Sequence, residues 1–210
     1  SEKKRYYPNK EMLAQVLGFT NVNNDGVVGL ESFYNAKLKG KPGKRILNSS
    51  VNRSIDLSDD SSVIINPENG YDLKTTIDST IQGFVEDSLK DIENNFKPKS
   101  ATIIVMNPNN GDVLGMGSYP NFNPNDPKTP LLRDQIKELN DLKKENDEDK
   151  ISEFYFNMWE NKATSWTYEP GSVFKTITSV AATEEHTATQ ESHYFCNGFI
   201  RDIPGVVIRC

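Results

Sequence analysis

Tyr168-Glu-Pro-Gly-Ser-Val-Phe-Lys-Thr-Ile-Thr178 decides how the rest of this chain is read. Pro-Gly stands just before a segment that can be helical, so Ser172 is expected to begin a helix. Lys175 then lies one turn on, with both side chains on one face. A serine hydroxyl is a poor nucleophile until a base takes its proton, and an amine can do so only when it is unprotonated. That role requires a lysine pKa well below the usual value of about 10.4, through burial and neighbouring positive charge. The free N–H groups of a helix start also favour the negative charge of a tetrahedral intermediate. Spacing alone is a weak signal, because Ser-x-x-Lys arises on the order of once by chance in a chain of this length. Ser1 and Lys4 share the spacing, but they lie in a charged terminus without helix-start chemistry. It is the surroundings that single out Ser172.

Working outward, Asn9 is placed to cap a short helix with Met12, Leu13, Val16 and Leu17 on one face, and Gly18 to stop it. Asn21-Val-Asn-Asn-Asp-Gly26 resembles the start of a calcium loop. Its twelfth position is Ser32, however, Glu31 falls one place early and the first position is Asn, so the ligand pattern is not met. Gly40-Lys-Pro-Gly43 reads as a turn, and Asn48 to Ser62 as a polar loop or weak edge strands. Asp78 or Ser79 can cap a helix whose apolar positions are Ile81, Phe84, Val85, Leu89, Ile92 and Phe96. Ala101 to Met106 reads as a strand, Asn107 to Gly111 as a hairpin turn and Asp112 to Ser118 as the returning strand. The charged stretch Asp126 to Lys150 reads as a surface insertion, with a solvated helix over Leu131 to Lys144 and Ile136 and Leu139 on its apolar side. Trp159, Trp166 and Tyr168 mark a return to packed structure; Trp166 and Tyr168 are also placed to line a substrate cleft beside Ser172. The element pattern predicts an α/β or α+β fold.

Composition narrows the possibilities by exclusion. A formal net charge of -6 and no clustered Lys or Arg argue against a nucleic-acid surface. Apolar stretches such as Ala101 to Met106 are too short to span a bilayer, and the start of the chain lacks the apolar core of a signal peptide.

Tyr168 to Lys175 closely resembles the first catalytic motif of class B penicillin-binding proteins. The resemblance extends through Leu73-Lys-Thr-Thr-Ile-Asp78, Ile81-Gln82, Ala101 to Met106, Asn107-Pro108, Gly111-Asp-Val-Leu-Gly-Met116, Tyr119-Pro-Asn-Phe-Asn-Pro124 and Trp159-Glu-Asn161. Upstream, Val16-Leu-Gly-Phe19, Gly29-Leu-Glu31, Tyr34 and Leu38-Lys-Gly40 resemble the end of that family's non-catalytic pedestal domain. The resemblance implies a pedestal (dimerisation-type) end and linker over residues 1–71, and over 72–210 the N-terminal part of a transpeptidase domain with the serine β-lactamase-like fold. It implies a D,D-transpeptidase: Ser172 would attack the D-Ala-D-Ala carbonyl of a peptidoglycan stem peptide, and β-lactams would acylate the same serine. Lys175 would be the base, and the Ser172 N–H part of the oxyanion hole. It further implies no required cofactor, a separate glycosyltransferase partner, and a place on the extracytoplasmic face of the membrane, anchored by an N-terminal helix outside this chain. A β-lactam sensor or a non-catalytic scaffold on the same fold is the alternative.

The family also uses Ser-x-Asn and Lys-Thr-Gly motifs after the first. Ser50-Val-Asn52 matches only in letters and precedes Ser172, while Lys175-Thr176 continues with Ile. The chain is therefore expected to be a piece of a longer protein, inactive and incompletely folded alone. Cys196 and Cys210, with thirteen residues between them, admit three readings. They are two free thiols, a disulfide suited to an extracytoplasmic protein, or zinc ligands with His193 or Asp202, or residues beyond Cys210, completing the set. A cysteine pair here resembles the sporulation-specific class B enzymes that make spore cortex.

Overall fold

The computed structural model describes residues 5–46 and 63–209. Ser1, Lys4, the whole of the expected loop from Asn48 to Ser62, including Ser50-Val-Asn52, and Cys210 lie outside the described residues. Two compact units divide the chain, Ser1–Trp166 and Thr167–Cys210.

In the first unit, helix α1 covers only Ala14–Leu17. Asn9 does not cap it, because Lys10 and Leu13 adopt positive φ (50° and 60°) and turn the chain before the helix can start. Gly18 ends it as expected. Strands β1 (Phe19–Thr20) and β2 (Gly26–Val28) pair antiparallel. Between them the Asn21 carboxamide oxygen accepts from the N–H groups of Asn23 and Asp25, which closes the turn. Asp25 is paired with Lys39, whose ammonium holds its pKa below the usual carboxylate range. Thus the acid of the calcium-like loop serves an internal ion pair. Two short helices follow, α2 (Gly29–Phe33) and α3 (Asn35–Leu38), then the antiparallel pair β3 (Lys44–Ile46) and β4 (Val63–Ile65).

Helix α4 spans Ser79–Phe96, and Asp78 caps it by accepting from the N–H groups of Thr80 and Ile81 at 2.8 and 3.0 Å. Its buried stripe is Gln82, Val85 and Leu89, the three-and-four spacing that brings residues to one helix face. Phe84 and Phe96, expected on that face, are instead exposed, because the hairpin beneath covers only a narrow seam. That hairpin is β5 (Ala101–Met106) with β6 (Val113–Tyr119). The helix lies so close that a Cβ at Gly117 would stand 2.8 Å from Leu89 Cδ1 and 3.0 Å from Val85 Cγ1. Gln82 is fully buried and completes the seam: its amide donates to the Met116 carbonyl at 3.0 Å and accepts from the Met116 N–H at 2.9 Å. A side chain here replaces a neighbouring strand, satisfying backbone groups that would be costly to bury unpaired.

Helix α5 runs over Arg133–Glu145 and packs on α6 (Glu148–Trp159). The stretch read as a surface insertion is thus tied into the core, to which it contributes Leu139 and Leu142. Helix α6 has no counterpart among the expected elements; Asp147 caps it by accepting from the Lys150 N–H. The core gathers Tyr7, Phe19, Phe122, Phe154, Met158 and Trp159. Phe19 meets Trp159 edge-on at 4.9 Å, and each such buried side chain contributes about 1.5–3 kcal/mol. Side-chain amides bind the N-terminal segment to this core. Asn125 brackets Tyr7, accepting from its N–H at 3.0 Å and donating to its carbonyl at 2.8 Å, and Gln15 donates to the Pro120 carbonyl at 2.8 Å. The pedestal-like residues before Asp72 therefore share one compact unit with the elements after it. Helix α7 (Lys162–Ser165) follows α6 near the end of the unit.

The second unit holds a 3-10 turn at Gly171–Phe174, helix α8 (Lys175–Glu184) and a small antiparallel pair, β7 (Phe199–Ile200) with β8 (Ile208–Arg209). None of its described residues is buried. No helix among the described residues is long and apolar enough to cross a membrane.

Candidate active site

Pro170 and Gly171 set up the nucleophile turn. Gly171 has φ 56°, left-handed backbone that a residue with a Cβ adopts only with strain, and it turns the chain into the 3-10 helix. Ser172 therefore sits in a 3-10 turn rather than in the first α-helical turn, and the α-helix proper starts at Lys175. The Lys175 N–H bonds to the carbonyls of Ser172 and Val173. With three residues per turn, side chains at i and i+3 eclipse, so the tighter helix brings Ser172 and Lys175 to one face more directly than an α-helix would. Hydroxyls brace the helix that follows: Ser179 Oγ donates to the Lys175 carbonyl at 3.0 Å, and Thr183 Oγ1 to the Ser179 carbonyl at 2.9 Å.

Lys175 is exposed, so the burial that a lysine base requires is not supplied by the described residues of its own unit. Beside the two residues runs an apolar stripe of Val173, Phe174, Ile177 and Val180, each more than half exposed.

The aromatics expected near Ser172 fall in different units. Trp166 ends the first, where its indole N–H donates to a Glu160 carboxylate oxygen at 2.7 Å and the Lys162 ammonium lies 5.3 Å from its ring centre. Burial lowers the Lys162 pKa, and Glu160 partly offsets the effect. Asn161 caps α7 and donates to the Met116 sulfur at 3.3 Å. Tyr168 is exposed in the second unit. Trp159, by contrast, is a core residue.

Of the three readings for the cysteines, free thiols are overturned: Cys196 is disulfide-bonded. Its thiolate is thereby unavailable to a metal, and the described residues hold no group of three or more His, Cys, Asp or Glu that could bind one. The zinc set of Cys196, Cys210, His193 and Asp202 is not assembled among the described residues. Cys196 is the first of the two cysteines in the sequence; the second, Cys210, is outside the described residues.

The model of the penicillin-binding protein transpeptidase domain matches residues 101–205, half of the 210-residue chain, and the matched span contains Ser172 and Lys175. The chain is 32% identical to stage V sporulation protein D of Bacillus subtilis over 208 residues, covering 98% of this chain and 28% of that protein. It is 33% identical to the peptidoglycan D,D-transpeptidase FtsI of Escherichia coli over 124 residues, 59% of this chain and 21% of that protein. The chain thus spans less than a third of either relative. Among solved structures, a peptidoglycan synthetase from Bifidobacterium adolescentis aligns over 100% of this chain and 33% of its own, with TM-score 0.72 at 20% identity, a likeness of fold. Penicillin-binding protein 2 of Helicobacter pylori, solved with MreC, aligns over 98% of this chain and 37% of its own, with TM-score 0.66 at 26% identity.

Proposed function

This chain belongs to the penicillin-binding protein transpeptidase family, class B, and from that premise we propose that it forms the serine-bearing part of a peptidoglycan D,D-transpeptidase. The observation that carries the reading is the Pro170-Gly171 turn, which starts a 3-10 helix with Ser172 and Lys175 one turn apart inside the matched span.

In this reading Ser172 Oγ attacks the carbonyl of the D-Ala-D-Ala bond while its proton passes to the neutral Lys175 amine. The tetrahedral intermediate collapses, the terminal D-Ala leaves as an amine that takes up a proton, and an ester remains on Ser172. The amine of a second stem peptide then attacks the ester, giving the cross-link and restoring the serine. Because Lys175 is exposed among the described residues of its own unit, the apolar surroundings that a lysine base needs would come from outside them.

Residues 1–71 form the pedestal end and residues 72–210 the first part of the catalytic domain. Likeness to stage V sporulation protein D along nearly all of the chain supports a role in cell-wall or spore-cortex synthesis. The Cys196 disulfide suits an oxidising compartment, which supports a place on the extracytoplasmic face of the membrane. Glycan strands would come from a separate glycosyltransferase, and no cofactor would be required. The test is covalent labelling of the full-length protein by a fluorescent penicillin. Labelling should disappear in Ser172→Ala, and labelling that survives the substitution would place the nucleophile elsewhere.

A further inference from the structure

The first unit contains a groove of about 830 Å³ that the acyl-transfer chemistry does not use. Its size falls within the range of ligand sites, and so does its make-up, an aromatic wall with a few polar groups at the rim. Tyr155, Phe156 and Trp159 of α6 form the wall, with Tyr155 stacked on Trp159 at 5.4 Å and Phe156 edge-on to Trp159 at 5.7 Å. The turn after β1 and the N-terminal segment also line it, including Asn21 and Tyr7.

The groove is held open by bonds already made. The Trp159 indole N–H donates to the Pro127 carbonyl at 2.6 Å, and Asn125 brackets the Tyr7 backbone. Burial raises the pKa of Tyr155 and, with help from Glu31, pushes that of Tyr7 up to about 12, so both phenols stay neutral. At the rim, the Asn21 amide nitrogen has no partner among the described residues. The Lys128 ammonium forms no ion pair there and lies 5.9 Å from the Tyr155 ring centre.

We propose that this groove binds the glycan part of peptidoglycan, an N-acetylated amino-sugar disaccharide bearing a carboxylate. The inference rests on the transpeptidase reading for the identity of the sugar. A pyranose ring presents an apolar C–H face and a hydroxyl rim, which suit an aromatic wall edged with amide and phenol groups. The lactyl carboxylate of a muramic acid residue is the anion that Lys128 would meet. An extended peptide is the poorer fit, since it would need a strand edge to pair with, and β1 is two residues long.

The experiment uses full-length protein with Ser172 already acylated by penicillin, which closes the catalytic cleft to stem peptide. The N-acetylglucosaminyl-N-acetylmuramic acid disaccharide is titrated against it, with chitobiose and sugar-free stem peptide as comparators. The disaccharide should bind saturably and alter Trp159 emission. Phe156→Ala, at a side chain already 58% exposed, should weaken it roughly tenfold with an unchanged melting temperature. Lys128→Met should abolish the preference over chitobiose. Absence of saturable binding, binding indifferent to Phe156→Ala, or stem peptide binding in place of the sugar would each overturn the proposal. If penicillin fails to acylate Ser172 but the unmodified protein binds the disaccharide, the transpeptidase reading falls and the groove stands.

Discussion

The described residues up to Trp166 are held by burial, whereas those from Thr167 onward are held by local bonding. The ten buried residues of the hydrophobic core all lie in the first unit, and no described residue of the second, which carries Ser172 and Lys175, is buried. Its described shape comes from a left-handed glycine, helical hydrogen bonds, hydroxyl braces and the bonded Cys196. The difference teaches that stability and chemistry are separable here. Core substitutions should unfold the first unit, while substitutions at the serine should silence function without a cost in stability.

The sharpest separation is Ser172→Ala, which should remove all covalent penicillin labelling in the full-length protein with its melting temperature unchanged, because an exposed hydroxyl contributes little to folding. A large drop in melting temperature would break the contrast. In the opposite direction, Trp159→Ala should cost about 3–5 kcal/mol in urea denaturation, as emptying an aromatic site in a packed core does. Gln82→Leu leaves the Met116 N–H and carbonyl without their side-chain partner and should cost about 2–3 kcal/mol, read in the same way.

Tyr7 offers a pH test of the first unit alone. Its folded pKa of about 12 lies above the usual tyrosine value, so folding holds the phenolic proton more tightly than the unfolded chain does. The associated stability is fully present below about pH 10 and should fade between about pH 10 and 12, on the order of 2 kcal/mol. Tyr7→Phe should erase that alkaline limb in denaturation curves taken across this range. The smallest effect is expected from Asp78→Ala, about 1 kcal/mol for a lost N-cap, visible as a modest fall in the urea midpoint.

Much of this division was legible in the residues, for identifiable reasons. Helix α4 and the β5–β6 hairpin carry strong period and turn signals, and both appear within a residue or so of expectation at most boundaries. The nucleophile turn was legible through its Pro-Gly context, although not its 3-10 form, which depends on hydrogen-bond closure that no side-chain pattern encodes. Three features were hidden because they depend on tertiary partners. Lys10 and Leu13 turn the chain left-handed where apolar spacing suggested helix. Helix α6, whose N-terminal end is dense in charge, is anchored by Phe154, Met158 and Trp159. Trp166 finds Glu160 and Lys162, partners within six residues that a motif centred on Ser172 draws attention away from.

Gln82 has a mechanical consequence. A helix resting on a sheet through apolar contacts alone can slip along it, since such contacts have little direction. Gln82 grips both backbone groups of Met116 and also donates to Glu86, which in turn accepts from the Leu13 N–H at 3.0 Å. Sliding α4 by one residue would break the bonds to Met116 and Leu13 together and press side chains against the bare backbone at Gly115 and Gly117. Helix and hairpin should therefore respond to load as a single lever. A push on the N-terminal segment at Leu13 would reach the hairpin as displacement, with little lost to shear.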